Sequence, residues 1–138
     1  MHLRMELSRT YFDEMVEHGL AGFPNEACGL LAGKEGQPVR FFPMINKDAS
    51  PVTYRLDPVE HLEVEQEMDR EGWELLAIFH THTHSGAYLS DTDLERAPTW
   101  YYPDARYLVM SLEDRANPFM KAFRVQDGAA VEEELVIA

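Results

Sequence analysis

The segment "WELLAIFHTHTH", residues 73–84, limits the fold more than any other stretch of the chain. Its middle is a nearly continuous apolar run. A strand with one wet face alternates apolar and polar residues, whereas a strand covered on both faces does not. The segment therefore reads as a central strand of a sheet with material packed on both sides. Where the apolar run stops, His80, His82 and His84 follow on alternate positions.

The remaining segments supply that covering. "MELS", "CGLLAG", "VRFFPMI", "ARYLVMSL", "FMKAFRVQ" and the closing "AAVEEELVIA" read as strands. Pro43 within "VRFFPMI" points to an edge strand or a bulge. A helix from Ser8 to about His18 would place Tyr11, Phe12, Met15, Val16 and Leu20 on a buried face. "DPVEHLEVEQEMDREG" has clear helix ends. Asp57 is a natural N-cap, Pro58 takes the first helical position, Glu60 has the capping-box position and Gly72 can close the helix. Its apolar side is expected from Val59, Leu62, Met68 and part of Val64. "SDTDLERA" starts a further short helix capped by Ser90. The pattern predicts an α/β fold, a mixed sheet of about six strands flanked by helices, in one domain spanning 1–138.

Charge and composition narrow the function. The chain has 138 residues and a formal charge of −13. That argues against nucleic acid or an anionic membrane as partner, since both demand a positive face. No apolar run approaches the ~20 residues of a membrane span. "MHLRMELSRT" has no signal-peptide core, and the single cysteine, Cys28, cannot form an internal disulfide. A cytoplasmic protein is expected. Cys28 reads as a small buried hydrophobe rather than a nucleophile.

Strand alternation puts His80, His82 and His84 in phase on one face. Two imidazoles ~6–7 Å apart along a strand can converge on one cation. A third ligand has to come from elsewhere, and Asp93, just inside the helix that begins near Ser90, can fold back over the strand end. Two histidines and one aspartate leave a coordination position open, as catalytic zinc sites do. Hydrolysis then needs a base, for which Glu26 in "NEACGLLAG" is the candidate, and a donor to the developing oxyanion, for which Ser90 is the candidate.

Taken together, Glu26, His80-Thr81-His82 and Ser90-Asp91-Thr92-Asp93 resemble the metal signature of the JAMM/MPN+ (Mov34/JAB) metallo-isopeptidases: a distant Glu, then His-Ser/Thr-His, then ten residues, then Asp with Ser three before it. "NEACGLLAG" is similar to that family's first strand. "YRLDPVEHL" and "YYPDARYLVMSL" are similar to flanking segments of its small bacterial members. The resemblance runs from about Glu6 to Val131. It implies a cytidine-deaminase-like fold and one zinc ion per chain held by His80, His82 and Asp93. It also implies Glu26 as general base and acid, and Ser90 as stabiliser of the tetrahedral intermediate. Counted from His82, Ser90 and Asp93 fall on the family's positions; counted from His84 they fall two short. His84 is thereby left as a loop residue at the mouth and a candidate substrate contact. Thr81 replaces the usual Ser, and Thr83 stands where many members have Pro.

Within the family, the His-x-His-Thr form followed by "AYLSDTD" is similar to the CysO-cysteine peptidase (Mec) branch. That likeness implies hydrolysis after the Gly-Gly tail of a ubiquitin-like sulfur-carrier protein, releasing cysteine for its biosynthesis. Two rival readings are a deubiquitinase-like protease acting on another tail and a non-catalytic MPN-type scaffold.

Overall fold

The computed structural model describes residues 4–138, so the first three residues of the expected 1–138 domain lie outside it. In chain order its elements are β1 (Arg4–Leu7), α1 (Arg9–Gly22), β2 (Cys28–Lys34), β3 (Gln37–Met44), α2 (Pro58–Glu71), β4 (Glu74–His82), α3 (Asp91–Arg96), β5 (Arg106–Ser111), β6 (Phe119–Gln126) and β7 (Ala129–Ile137). The seven strands form one sheet in the order β1-β7-β6-β5-β4-β2-β3. β4 lies inside it, parallel to β5 and antiparallel to β2. Every residue of β4 from Leu76 to His82 is buried, which is why its sequence does not alternate.

Alternate residues of β4 serve two cores on opposite faces of the sheet. Ala77 and Phe79 pack with Phe12 and Met15 of α1 and with Leu31, Leu108 and Met110. Ile78 packs with Val64 and Met68 of α2 and with Leu30, Tyr107 and Val109. Helices therefore cover both faces, and the expected α/β class holds. His80 and His82 are in phase with Ile78 and look toward the α2 side. Thr81 looks toward α1, which lies so close that a Cβ on Gly19 would come within 3.0 Å of the Thr81 methyl.

Four details differ from the sequence expectation. The sheet has seven strands rather than about six, because β1 pairs in parallel with β7 as well as β7 with β6. Helix α1 runs on to Gly22, and Ser8 makes no side-chain cap. Continuing the helical period from Phe12 and Met15 brings Gly19 inward, while Leu20 is exposed. Helix α2 has the expected ends: the Asp57 carboxylate accepts from the Glu60 N–H, and Gly72 takes the left-handed conformation at φ 73°. Yet its Val59 and Leu62 are 65% and 57% exposed. The helix instead turns Glu60 and His61 inward, where Glu60 accepts from the Ile45 N–H and His61 meets Tyr102. Pro43 is accommodated because β3 is an edge strand. No helix among the described residues is long and apolar enough to cross a membrane.

Candidate metal centre and active site

β4 and β5 are parallel neighbours and end together, with His82 opposite Ser111. At that edge His80 and His82 project from one face of β4, and α3 lays its first turn across them. Both imidazole Nε2 atoms reach the same oxygen, Asp93 Oδ2, at 3.1 Å from His80 and 3.0 Å from His82. One ligand atom from each of the three residues lies within 4.8 Å of the others, and all three residues are buried.

The start of α3 fixes the carboxylate. Ser90 Oγ accepts from the Asp93 N–H at 3.0 Å, and Asp93 Oδ2 accepts from the Ser90 N–H at 3.0 Å, a complete capping box. The cap uses only the acceptor capacity of the Ser90 hydroxyl. A hydroxyl also carries one proton to donate, so capping leaves Ser90 free to act as a donor.

The donor set fits a metal ion. His82 Nδ1 donates to the Gly86 carbonyl at 3.0 Å, which assigns the lone pair to Nε2. That lone pair then faces a carboxylate oxygen, and two acceptors 3.0 Å apart need a cation or a proton between them. Burial holds His80 below the usual imidazole range, against the pull of Asp93. Burial also pulls His82 down, but Asp93, Glu26 and the Gly86 carbonyl outweigh it, and its net shift is upward. Asp93 is pushed up by burial and drawn down more strongly by the two imidazoles and the Ser90 N–H, ending well below the carboxylate range. Two neutral-capable imidazoles and one ionised carboxylate make a three-ligand set suited to zinc. Tyr54 stacks on His80 at 4.3 Å between ring centroids, and Tyr88 meets His82 edge-on at 4.9 Å. These rings wall the ligands.

Glu26 arrives from the loop before β2 and is held by its backbone. Its N–H donates to the Ser50 carbonyl at 2.9 Å, and its own carbonyl accepts from Asn46 Nδ2 at 3.0 Å. The next residue, Ala27, is tied twice to Thr81: its N–H donates to the Thr81 hydroxyl at 2.8 Å, and its carbonyl accepts from the Thr81 N–H at 3.0 Å. The Glu26 side chain has no such restraint. The residue is 4% exposed, and its Oε1 has no hydrogen-bond partner. Burial raises its pKa from 4.5 to about 8, with His82 opposing and Asp93 and Asp48 adding to the rise. A buried, unpartnered carboxyl with a pKa near neutrality, coupled to a ligand set, has the properties of a proton carrier.

His84 stands apart from this group. β4 has ended by then, so the alternation that set it in phase with His80 and His82 no longer applies. It is exposed, bonded to the neighbouring Thr83 hydroxyl at 2.9 Å, with its ring 5.8 Å from that of Phe23. Cys28 is fully buried, and burial pushes its thiol up to about 12, with Glu60 and Glu26 adding to the effect. It is no nucleophile. Sequence reasoning missed Thr81 as a fastener, Asn46 and Ser50 as supports for Glu26, and the Tyr54 and Tyr88 walls. Only Thr81 carried a signal: a hydroxyl on the strand face opposite the two ligands.

The family of prokaryotic homologs of the JAB domain matches residues 8–126. A CysO-cysteine peptidase of Mycobacterium tuberculosis is 41% identical over 121 residues, covering 86% of this chain and 81% of the relative. A probable TtuB-protein conjugate cleaving protease of Thermus thermophilus is 32% identical over 130 residues, covering 94% and 81%. The solution structure of a Desulfitobacterium hafniense protein superposes with a TM-score of 0.84 at 33% identity, covering 97% of this chain and 92% of that one. The strand end, the capped helix and the full-length likeness agree: the chain belongs to the prokaryotic JAB-domain family.

Proposed function

We propose that this protein is a zinc-dependent peptidase that hydrolyses the amide after the Gly-Gly C-terminus of a ubiquitin-like sulfur-carrier protein and releases cysteine. The named relatives are a peptidase and a conjugate-cleaving protease, so the coarser assignment is a hydrolase of peptide or isopeptide bonds. The observation that carries the metal chemistry is the convergence of His80, His82 and Asp93 on one point, beside a buried Glu26 whose Oε1 has no partner, and the likeness to the CysO-cysteine peptidase supports the substrate. His80, His82 and Asp93 would hold one zinc ion. When bound, the ion supplies positive charge that polarises the scissile carbonyl and acidifies water.

The rest of the mechanism belongs to the chain. Glu26 takes the proton of the attacking water on a carboxylate oxygen and passes it to the leaving nitrogen. Its elevated pKa suits it to hold that proton in between. The Ser90 hydroxyl, whose oxygen is pinned by the Asp93 N–H, donates its proton as a hydrogen bond to the developing oxyanion. Tyr54 and Tyr88 keep the histidine rings from turning. The reading includes a cytoplasmic setting and a partner with a Gly-Gly tail.

The test is zinc analysis of the purified protein together with cysteine release from a carrier–cysteine adduct. About one zinc per chain and release that vanishes in Glu26→Ala are expected. Unchanged release by a zinc-loaded Glu26→Ala protein would sink the mechanism.

A further inference from the structure

The proposed chemistry leaves Arg115 unused. Its guanidinium lies 4.3 Å over the Phe23 ring, and the His84 ring packs against the same phenyl group at 5.8 Å. Each of the three comes from a segment that also builds the centre. Phe23 is three residues before Glu26, and His84 is two residues after His82. Arg115 is three residues after Leu112, whose N–H donates to the His82 carbonyl at 2.8 Å. The cluster therefore stands beside the ends of β4 and β5, with Phe23 also packed on the α1-side core.

Arg115 is exposed and makes no ion pair among the described residues. Asp114, beside it, is occupied within its own turn, accepting from the Ala116 N–H and from Asn117 Nδ2. Arg9 and Arg70 share that lack of an ion pair, but they stand at the start of α1 and the end of α2, whereas Arg115 follows the end of β5. Stacking on an aromatic face fixes the plane of a guanidinium while leaving its N–H edge free. A free edge of that kind takes a carboxylate through two parallel hydrogen bonds.

The distance suits one particular carboxylate. His84 is two residues after His82, so the chain places it at most ~7 Å from His82. If the bond cleaved is the amide of a C-terminal amino acid, that residue's α-carboxylate lies one residue, ~3.3–3.6 Å, past the scissile nitrogen. An amide made to a lysine side chain has no carboxylate there. We propose that Arg115, seated on Phe23, binds the α-carboxylate of the leaving amino acid and so selects substrates ending in a single residue over protein–protein isopeptides. This rests on the reading that the centre hydrolyses a Gly-Gly-linked amide.

The experiment measures binding, so it does not depend on turnover. Zinc-loaded Glu26→Gln protein is titrated with acetyl-Gly-Gly-Cys as free acid and as C-terminal amide, followed by NMR. The acid should bind ~10- to 100-fold tighter, the range expected of hydrogen bonds to a charged group. Adding Arg115→Met should remove that preference, and Arg115→Lys should restore part of it. Equal binding of acid and amide overturns the proposal. A preference that survives Arg115→Met also overturns it, since the metal then holds the carboxylate. If the preference is found but wild-type protein cleaves neither peptide nor adduct, the hydrolytic reading falls and the carboxylate site stands.

Discussion

A carboxyl buried without a hydrogen-bond partner destabilises a fold, and Glu26 is such a group. Its raised pKa makes the cost depend on pH. Below about 4.5 the carboxyl is protonated in both folded and unfolded chains. Between 4.5 and about 8 the unfolded chain has released the proton while the folded one keeps it. Stability from this group is therefore lost as pH rises through that window. In the metal-free protein, Glu26→Gln should stabilise the fold, and so raise the melting temperature, by an amount that grows from pH 5 to pH 8 and is on the order of 1–3 kcal/mol at the upper end. Thermal melts of both proteins in chelator across that range check it, and a pH-independent difference would contradict the assignment. The histidines divide in a different assay. His82→Ala should lose zinc and His84→Ala should keep it, read by metal analysis after gel filtration, because His82 faces Asp93 and His84 does not.

At the scale of elements, the site depends on two fasteners. The first is the double link between Ala27 and Thr81, which joins the loop of Glu26 to the strand of the histidines. Thr81→Val should leave the Ala27 N–H unpaired and cost ~1–3 kcal/mol. It should lower kcat more than it raises KM, with zinc retained, and Thr81→Ser should restore both stability and rate. The second is the cap of α3. Glycine at an N-cap costs only a few tenths of a kcal/mol relative to serine. Ser90→Gly should therefore leave the melting temperature nearly unchanged while kcat falls ~10²- to 10³-fold, the effect of losing an oxyanion donor. A matching loss of stability and rate would reduce Ser90 to a cap. Elements whose ends are written in local chemistry were legible in the sequence. Asp57, Pro58 and Gly72 bound α2, and Ser90 with Asp93 starts α3. Of the inward face of α2, Val64 and Met68 were legible, while Glu60 and His61 were not, because Ile45 and Tyr102, distant in sequence, draw them in. The same divide runs through the site. His80, His82 and Asp93 sit on a strand end and a helix cap, both readable from spacing. The supports of Glu26 at Asn46, Ser50 and Thr81 arrive only through tertiary contacts.

For the molecule as a whole, the proposed metal joins only β4 and α3, while the two cores on either side of the sheet form without it. Chelation should accordingly lower the melting temperature and leave the far-ultraviolet circular dichroism intact. Restored zinc at about 100 times its Kd should add ~2.7 kcal/mol. Unfolding on chelation would make the metal a structural one. The sheet also has a consequence for how the protein is made. β1 pairs with β7, Met5 beside Leu135, and the backbone of Arg9 reaches Ala138. A chain emerging from the ribosome carries Glu26, His80, His82 and Asp93 long before it carries β7. The end of the sheet that carries these residues can therefore assemble during synthesis. β1 waits unpaired until β7 has been made, with its edge open to other nascent chains meanwhile.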